Sequence, residues 1–335
     1  MKILLVKDYN PTSFGLQASI LERGLKELGH TVDTREKNSA TKDNIPPGYD
    51  VYLYYTIYNS NLFWKGIPRH GKNVIFEVAD TDAISHAVLY FLRNQPIDAV
   101  VVPSNFSKSA YYVFDPKPRQ PIHVIPHALD PHFYVEEWKP LPSNYEHPLL
   151  TVTVPHSLER KGGDIAFYVI RELMRAGYHF HHMIEINNPL ESSVRGLNFT
   201  PRELTPDEHY TLFSQTDVLL YPVRGGAFEI PILENLAFHA DVVIPDQGPW
   251  TEYVDKEDAF WIHVKGQKKY WFMNPFHVGN FFEPDPEDTY AQTLLALSMQ
   301  SEERDKMKVE RAKKYREKFH YLRIAKEWEK LLSSL

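Results

Sequence analysis

The sequence contains no cysteine. A chain without thiols has no disulfide, no thiolate metal site and no cysteine nucleophile, so nothing in it points to an oxidising compartment. It also lacks any run of about 18 apolar residues, the length a helix needs to span a bilayer. The first apolar run, Ile3 to Val6, is too short for the core of a signal peptide and reads as a strand, which leaves the cytoplasm as the expected location. An excess of positive charge is missing too. Lys and Arg number 37 against 44 Asp and Glu, a net charge of -7, which argues against a broad nucleic-acid surface because neutralising phosphates needs clustered cations. The basic run from Lys313 to Lys318 is interleaved with acids and reads as a solvated helix face. No short-period repeat or low-complexity segment stands out.

What is present is a soluble globular composition, 43% hydrophobic and 24% charged, in 335 residues. That length suits two domains of about 100–200 residues each. In the first half, apolar runs at Ile3–Val6, Val51–Tyr55, Val74–Phe76, Ala99–Val102 and Ile122–Ile125 alternate with the helically spaced segments Leu16–Leu28 and Ala83–Leu92. Alternation of this kind predicts a parallel sheet. The proline-rich stretch from Asp130 to Pro148 reads as a linker. The alternation then restarts, with strands at Leu150–Val154, Phe180–Ile186, Val218–Tyr221 and Val242–Ile244, and helices at Asp164–Arg175, Pro206–Ser214 and Pro231–Phe238. The expected fold is α/β, two doubly wound halves with a ligand crevice at the carboxyl ends of the strands. Residues 301–332 read as a charged helical tail with an apolar edge at Trp328, Leu331 and Leu332.

Four segments carry chemistry. In the first, a strand ends at Tyr221, Gly225 and Gly226 turn the chain, Phe228 and Glu229 follow, and a helix starts near Pro231, so that free amides and the positive helix end face the crevice. Glu234, about one turn into that helix, is placed to accept hydrogen bonds from ribose hydroxyls, although a glycine turn before a helix with a dipole-stabilising acid explains the pattern equally well. The second segment runs from Pro155 through His156 to Lys161, Gly162 and Gly163, between a strand and a helix. Cations there would stabilise charge gathering on a diphosphate leaving group; the plain alternative is a surface turn. The third, Ile125 to Asp130, is either a strand end at the crevice or a domain boundary, and the fourth, Gly248 to Val254, is either a phosphate turn or a capping arrangement.

Together these segments resemble the family-4 retaining glycosyltransferases. That family carries a Gly-Arg…Lys-Gly loop, a strand, a Glu-Gly-Phe-Gly-x-Pro-x-x-Glu-Ala stretch and a Gly-Gly…Glu turn, and order and spacing match over roughly residues 150–255. The Gly15 turn, Leu25…Gly29-His30, Val102-Pro103-Ser104 and Ile125–Asp130 extend the likeness more loosely into the first half. The resemblance implies a GT-B fold, with residues 1–143 as an acceptor domain, 144–319 as a donor domain, and a C-terminal helix at about 320–335 packing back on the first. It also implies transfer of a sugar from a nucleotide diphosphate sugar, with retention, without a metal ion or other cofactor, to an acceptor the sequence does not name. Two departures stand out: the arginine of the loop falls on His156, and the first motif glutamate falls on Gly226, with Glu229 where the family has glycine. Lys161 and Glu234 match, and Glu229 is either a substitute carboxylate or a buried helix-start acid.

In the first half, Glu77, Asp80 and Asp82 sit at a strand end. Asp80 is the candidate to take the acceptor's proton, with an N-cap by Asp80 or Asp82 for a helix from Ala83 as the alternative. His179 and His181 alternate on one strand face, but no third ligand at suitable spacing accompanies them, so no metal is expected. The stretch Lys265–Phe276, with Tyr270 and Trp271, reads as an acceptor-gripping loop, a peripheral membrane contact or packing against its own domain. Two other functions stay open, a non-catalytic nucleotide-sugar binder and a nucleotide-sugar epimerase.

Overall fold

The computed structural model describes residues 1–9, 12–58, 60–134, 146–154, 157–186, 196–200, 204–269 and 274–335. Two compact units emerge. The first comprises Met1–Pro131, Trp271–Asn280 and Lys318–Leu335; the second comprises His132–Tyr270 and Phe281–Glu317. No helix among the described residues is long and apolar enough to cross a membrane.

The first unit is built on β1 (Lys2–Lys7), α1 (Ser13–Glu27), β2 (Thr31–Glu36), β3 (Val51–Tyr55), α2 (Asn61–Lys65), β4 (Lys72–Phe76), α3 (His86–Asn94), β5 (Ala99–Val102), α4 (Asn105–Ala110) and β6 (Ile122–Val124). Its six strands are all parallel in the order β2-β1-β3-β4-β5-β6. Every residue of β3 and β5 is buried, as expected of parallel strands covered on both faces. Thr12 caps α1 by accepting the Gly15 amide at 3.1 Å, so Gly15 lies in the first helical turn and not in a turn before it, correcting the sequence reading. Helix α3 begins at His86 after Ser85, three residues later than expected, and neither Asp80 nor Asp82 caps it.

Residues 274–280 supply the reason. Phe276 enters the core of this unit, stacked on Tyr58 at 5.2 Å and edge-on to Phe63 at 5.3 Å. Asp82 accepts the Asn280 amide at 2.7 Å, Thr81 accepts that of Gly279 at 3.2 Å, and the Asp80 amide donates to His277 Nδ1 at 3.2 Å. The carboxylate expected to cap a helix therefore anchors this segment. Gly279 is required, because a Cβ there would lie 2.1 Å from Asp82 Oδ1. Of the aromatic stretch singled out in the sequence, Phe276 is core, while Tyr270 and Trp271 lie outside the described residues.

The second unit contains β7 (Leu149–Thr153), α5 (Gly163–Arg175), β8 (His181–Glu185), α6 (Pro206–Gln215), β9 (Val218–Leu220), α7 (Ile230–Ala237), β10 (Asp241–Pro245) and β11 (Ala259–Ile262). The antiparallel pair β12 (Val264–Lys268) and β13 (Phe281–Pro284) follows, then α8 (Pro286–Ser298) and α9 (Glu302–Lys318). Its sheet runs β11-β10-β9-β7-β8, again parallel. Helix α9 is charged along most of its length, yet it is pinned to the sheet. Fully buried Asp241 at the start of β10 is ringed by Arg304 at 2.6 Å, Arg311 at 3.0 Å and Lys308 at 3.6 Å. Burial alone would raise the Asp241 pKa, but the hydrogen bond from Arg304 and the neighbouring cations outweigh it and hold the group below its usual value.

The last helix, α10 (Tyr321–Ser334), belongs to the first unit and lies along α1. It buries Tyr321, Ile324, Ala325, Trp328, Leu331 and Leu332, a stripe at helical spacing. The approach is close enough that a Cβ on Gly24 of α1 would fall 2.6 Å from the Ala325 Cβ, and His30 pairs with Glu329 at 2.8 Å.

Candidate active site

In the second sheet the chain order reverses at β7, with β8 on one side and β9 on the other. A doubly wound sheet opens a crevice at such a switch point, between the loops that leave the two diverging strands. In their described residues those loops are 154 and 157–163 after β7 and 221–229 after β9, and they include Lys161, Gly225, Gly226, Phe228 and Glu229 from the sequence reading. They are laced together: the Arg224 amide donates to Arg160 O at 2.8 Å, and Arg160 Nη1 donates to Gly225 O at 2.9 Å. Gly162 makes the contact possible. Its φ of 71° is left-handed, and a Cβ there would lie 2.0 Å from Pro222 O, so a side chain would be excluded on both counts.

Glu229 sits at the centre. It is the cap residue of α7 with φ 64° and ψ 77°, a left-handed backbone that costs a non-glycine residue about 1–2 kcal/mol. Its carboxylate is 4% exposed and pairs with Lys161, accepts the Tyr221 hydroxyl at 2.5 Å and lies 3.5 Å from Arg160. The Tyr221 pKa is driven far above its normal value, first by burial and then by the adjacent Glu229 charge, so its hydroxyl remains a donor. Gly226 provides the room: a Cβ at 226 would be 1.7 Å from Glu229 Oε1. A side chain at 226 would therefore require the Glu229 carboxylate to leave its present place. Phe228 is buried and stacks on Tyr253 at 4.3 Å, while the Tyr253 hydroxyl donates to the Phe228 and Glu229 carbonyls. These contacts fix the entry into α7.

No family model matches the chain. Over 335 residues it is 52% identical to "Putative glycosyltransferase 45" of Sulfolobus islandicus filamentous virus (isolate Iceland/Hveragerdi), covering 99% of this chain and 94% of that protein. The chain belongs to the glycosyltransferases. Sucrose-phosphate synthase from Thermosynechococcus elongatus matches at a TM-score of 0.69 and 14% identity over 100% of this chain and 98% of its own. WaaG, a glycosyltransferase involved in lipopolysaccharide biosynthesis, matches at 0.64 and 13% over 99% of both. A mutant of S. aureus TarM matches at 0.60 and 10% over 94% of this chain, which spans 58% of its length. Identities this low speak to the fold, which is GT-B.

In this glycosyltransferase Glu234 stands on the second turn of α7 and its Oε2 lies 3.4 Å from His209 Nε2, a contact the sequence did not suggest. Glu252 is exposed, and the segment around it forms a short 3-10 turn, Pro249–Glu252, not the start of an α-helix. His156 lies outside the described residues. Asp80 belongs to the first unit, half-buried beside His277, whereas Glu77 next to it is fully buried and accepts the Ile57 and Tyr58 amides at 2.5 and 2.9 Å. Burial pushes the Glu77 carboxyl up to about 8, against the pull of those amides. His127, from the third sequence segment, is 3.4 Å from the Tyr55 hydroxyl and is drawn down to about 3 by burial. His179 and His181 stand with His147 around a cavity of about 310 Å³ at the strand-start end of β8, away from the switch point.

Proposed function

We propose that this glycosyltransferase takes a nucleoside diphosphate sugar into the switch-point crevice of its second unit and transfers the sugar with retention of anomeric configuration, without a metal ion. The observation that carries this reading is the meeting of the Arg160–Gly162 loop with the turn before α7 at that crevice. Two cations, Arg160 and Lys161, and the starts of α5 and α7 share it. As the bond from sugar to diphosphate breaks, negative charge grows on the leaving group; fixed cations and helix-end amides lower the barrier because they need not reorganise. One carboxylate, Glu229, partly offsets the two cations and leaves a net positive surrounding for the phosphates.

Glu229 takes the part of the motif's first glutamate. The carboxylate moves three positions along the chain, Gly226 vacates the space it needs, and Lys161 and Tyr221 hold it in a fixed place to receive hydroxyls of the donor sugar. Glu234 accepts hydrogen bonds from the ribose. In solved structures of the same fold, TarM was captured with UDP, and Starch Synthase IV from Arabidopsis thaliana with ADP and acarbose, which supports a nucleoside diphosphate as the common ligand class. Retention rests on the family-4 resemblance, and Asp80 is carried as the residue that receives the acceptor's proton.

The test is a thermal-shift panel of nucleotide sugars, since a ligand selective for the native state raises the melting temperature. Release of nucleoside diphosphate and the anomer of the product are then followed with a chelator present. Binding and release that survive chelation, with the donor's anomer kept, are expected. Binding with no release for any acceptor would replace the transferase by a binder, and an inverted product would remove retention.

A further inference from the structure

A second cluster lies beside α7, built from the ends of β7 and β8 and the first turn of α6. His209 stands between two carboxylates, with Nδ1 3.0 Å from Glu185 Oε1 and Nε2 3.4 Å from Glu234 Oε2. Glu185, the last residue of β8, is buried, and its other oxygen accepts the Thr153 hydroxyl at 2.5 Å from the end of β7. Phe213, one turn further along α6, packs on the imidazole with ring centroids 4.0 Å apart. Only a ring protonated on both nitrogens donates to both acids at once. Burial lowers the His209 pKa, but the hydrogen bonds and charges of Glu185 and Glu234 outweigh it and carry it up to about 10.

We propose that His209 is a positioning residue for Glu234, a doubly hydrogen-bonded imidazole that transmits the fixed frame of β7 and β8 to the carboxylate receiving the donor ribose. The inference rests on the reading of Glu234 as the ribose contact. A glutamate side chain on a helix has several rotamers, and ordering it when the ligand arrives weakens binding. The chain Thr153, Glu185, His209 orders it beforehand. Among the described residues it engages Oε2 alone, which leaves Oε1 to the ligand. A structural ion pair would also hold α6 to α7, so the two roles must be separated by what each does to ribose recognition.

The experiment uses the full chain and calorimetry with whichever of UDP, ADP and GDP raises the melting temperature, alongside inorganic pyrophosphate, which has no ribose. His209→Ala is expected to weaken the nucleoside diphosphate about tenfold while leaving pyrophosphate unchanged, and to add no further loss in a Glu234→Gln background. His209→Arg, which keeps a charged donor, should recover most of the affinity. A His209→Ala protein that binds the nucleoside diphosphate normally, while Glu234→Gln does not, overturns the positioning role and spares the ribose reading. Normal binding by Glu234→Gln overturns both. Equal losses for nucleoside diphosphate and pyrophosphate show a structural role only. Should His209→Ala fail to fold, His209→Arg against His209→Gln decides: arginine close to wild type with glutamine weaker supports the proposal, and equal values overturn it.

Discussion

Two strand ends of the first Rossmann-like unit and two of the second hold their ionisable groups in opposite ways. In the first, Glu77 after β4 is pushed up to about 8 and His127 after β6 is drawn down to about 3, both by burial, so near neutral pH each carries little charge. In the second, Lys161 is paired with Glu229, and His209, held at about 10, is shared by Glu185 and Glu234. After β4 and β6 the first unit removes charge, although it keeps Lys7 at the end of β1 paired with Glu22 at 2.8 Å; at its switch point the second unit keeps charge in matched sets. A buried neutral acid serves packing and amide satisfaction, whereas buried ions are costly and persist where geometry supplies a partner. A nucleoside diphosphate needs the second kind of surrounding.

The sharpest way to break the comparison is to move the carboxylate back. Gly226→Glu alone should cut turnover by about 100-fold or more, since its side chain displaces Glu229 from Lys161, and Glu229→Gly alone should cost a similar factor by leaving the cation unmatched. The double exchange Gly226→Glu/Glu229→Gly should recover to within about tenfold of wild type, because it also returns glycine to the left-handed position. Additive losses, read from nucleoside diphosphate release, would show that the two positions are not interchangeable.

Next in size is Glu234→Gln, expected to weaken both nucleotide sugar and bare nucleotide by about tenfold through loss of a charged acceptor. Calorimetry with both ligands checks it, and unchanged affinities would remove Glu234 from the ribose.

The smallest effect on activity belongs to Glu77→Gln, which should leave turnover intact and change only stability. The folded carboxyl titrates near 8 and the unfolded one near 4.5, so the stability Glu77 contributes is complete below 4.5 and is lost as pH rises towards 8. Glutamine does not titrate. The variant should lose less stability across that window, by up to about 1.4 kcal/mol per pH unit, in urea unfolding at pH 5 and pH 8. Parallel losses in the two proteins would show that Glu77 is not protonated in the fold.

Much of the fold was legible because parallel strands buried on both faces read as apolar runs, and most of both sheets follows from that alternation, although β11, the β12–β13 pair and the thirteen-residue helix α8 were not read. The short helices α2 and α4, of five and six residues, were missed since they are too brief to show a period. Helix α3 was started too early because an aspartate before an apolar segment looks like a cap, yet Asp82 is engaged by Asn280, far away in sequence. The loops at the switch point were visible from their glycines and Lys161. Two features were not. Nothing local reveals that the Glu229 carboxylate fills the space beside Gly226, which is a matter of atoms in space. Nor does any spacing betray the set of Glu185, His209 and Glu234, spread over β8, α6 and α7; its sole trace is an acid at the end of a strand.

The place where the diphosphate is held separates the two kinds of strand end most directly. Calorimetric titration of the nucleoside diphosphate into Lys161→Ala and Glu77→Gln, side by side with wild type, compares the charged strand ends of the second unit with the discharged ones of the first. The expected result is a loss of about 10-fold or more for Lys161→Ala and no change for Glu77→Gln, with turnover of the lysine variant reduced by about 10- to 1000-fold. Wild-type affinity in a folded Lys161→Ala protein, together with weakened binding in Glu77→Gln, would contradict it.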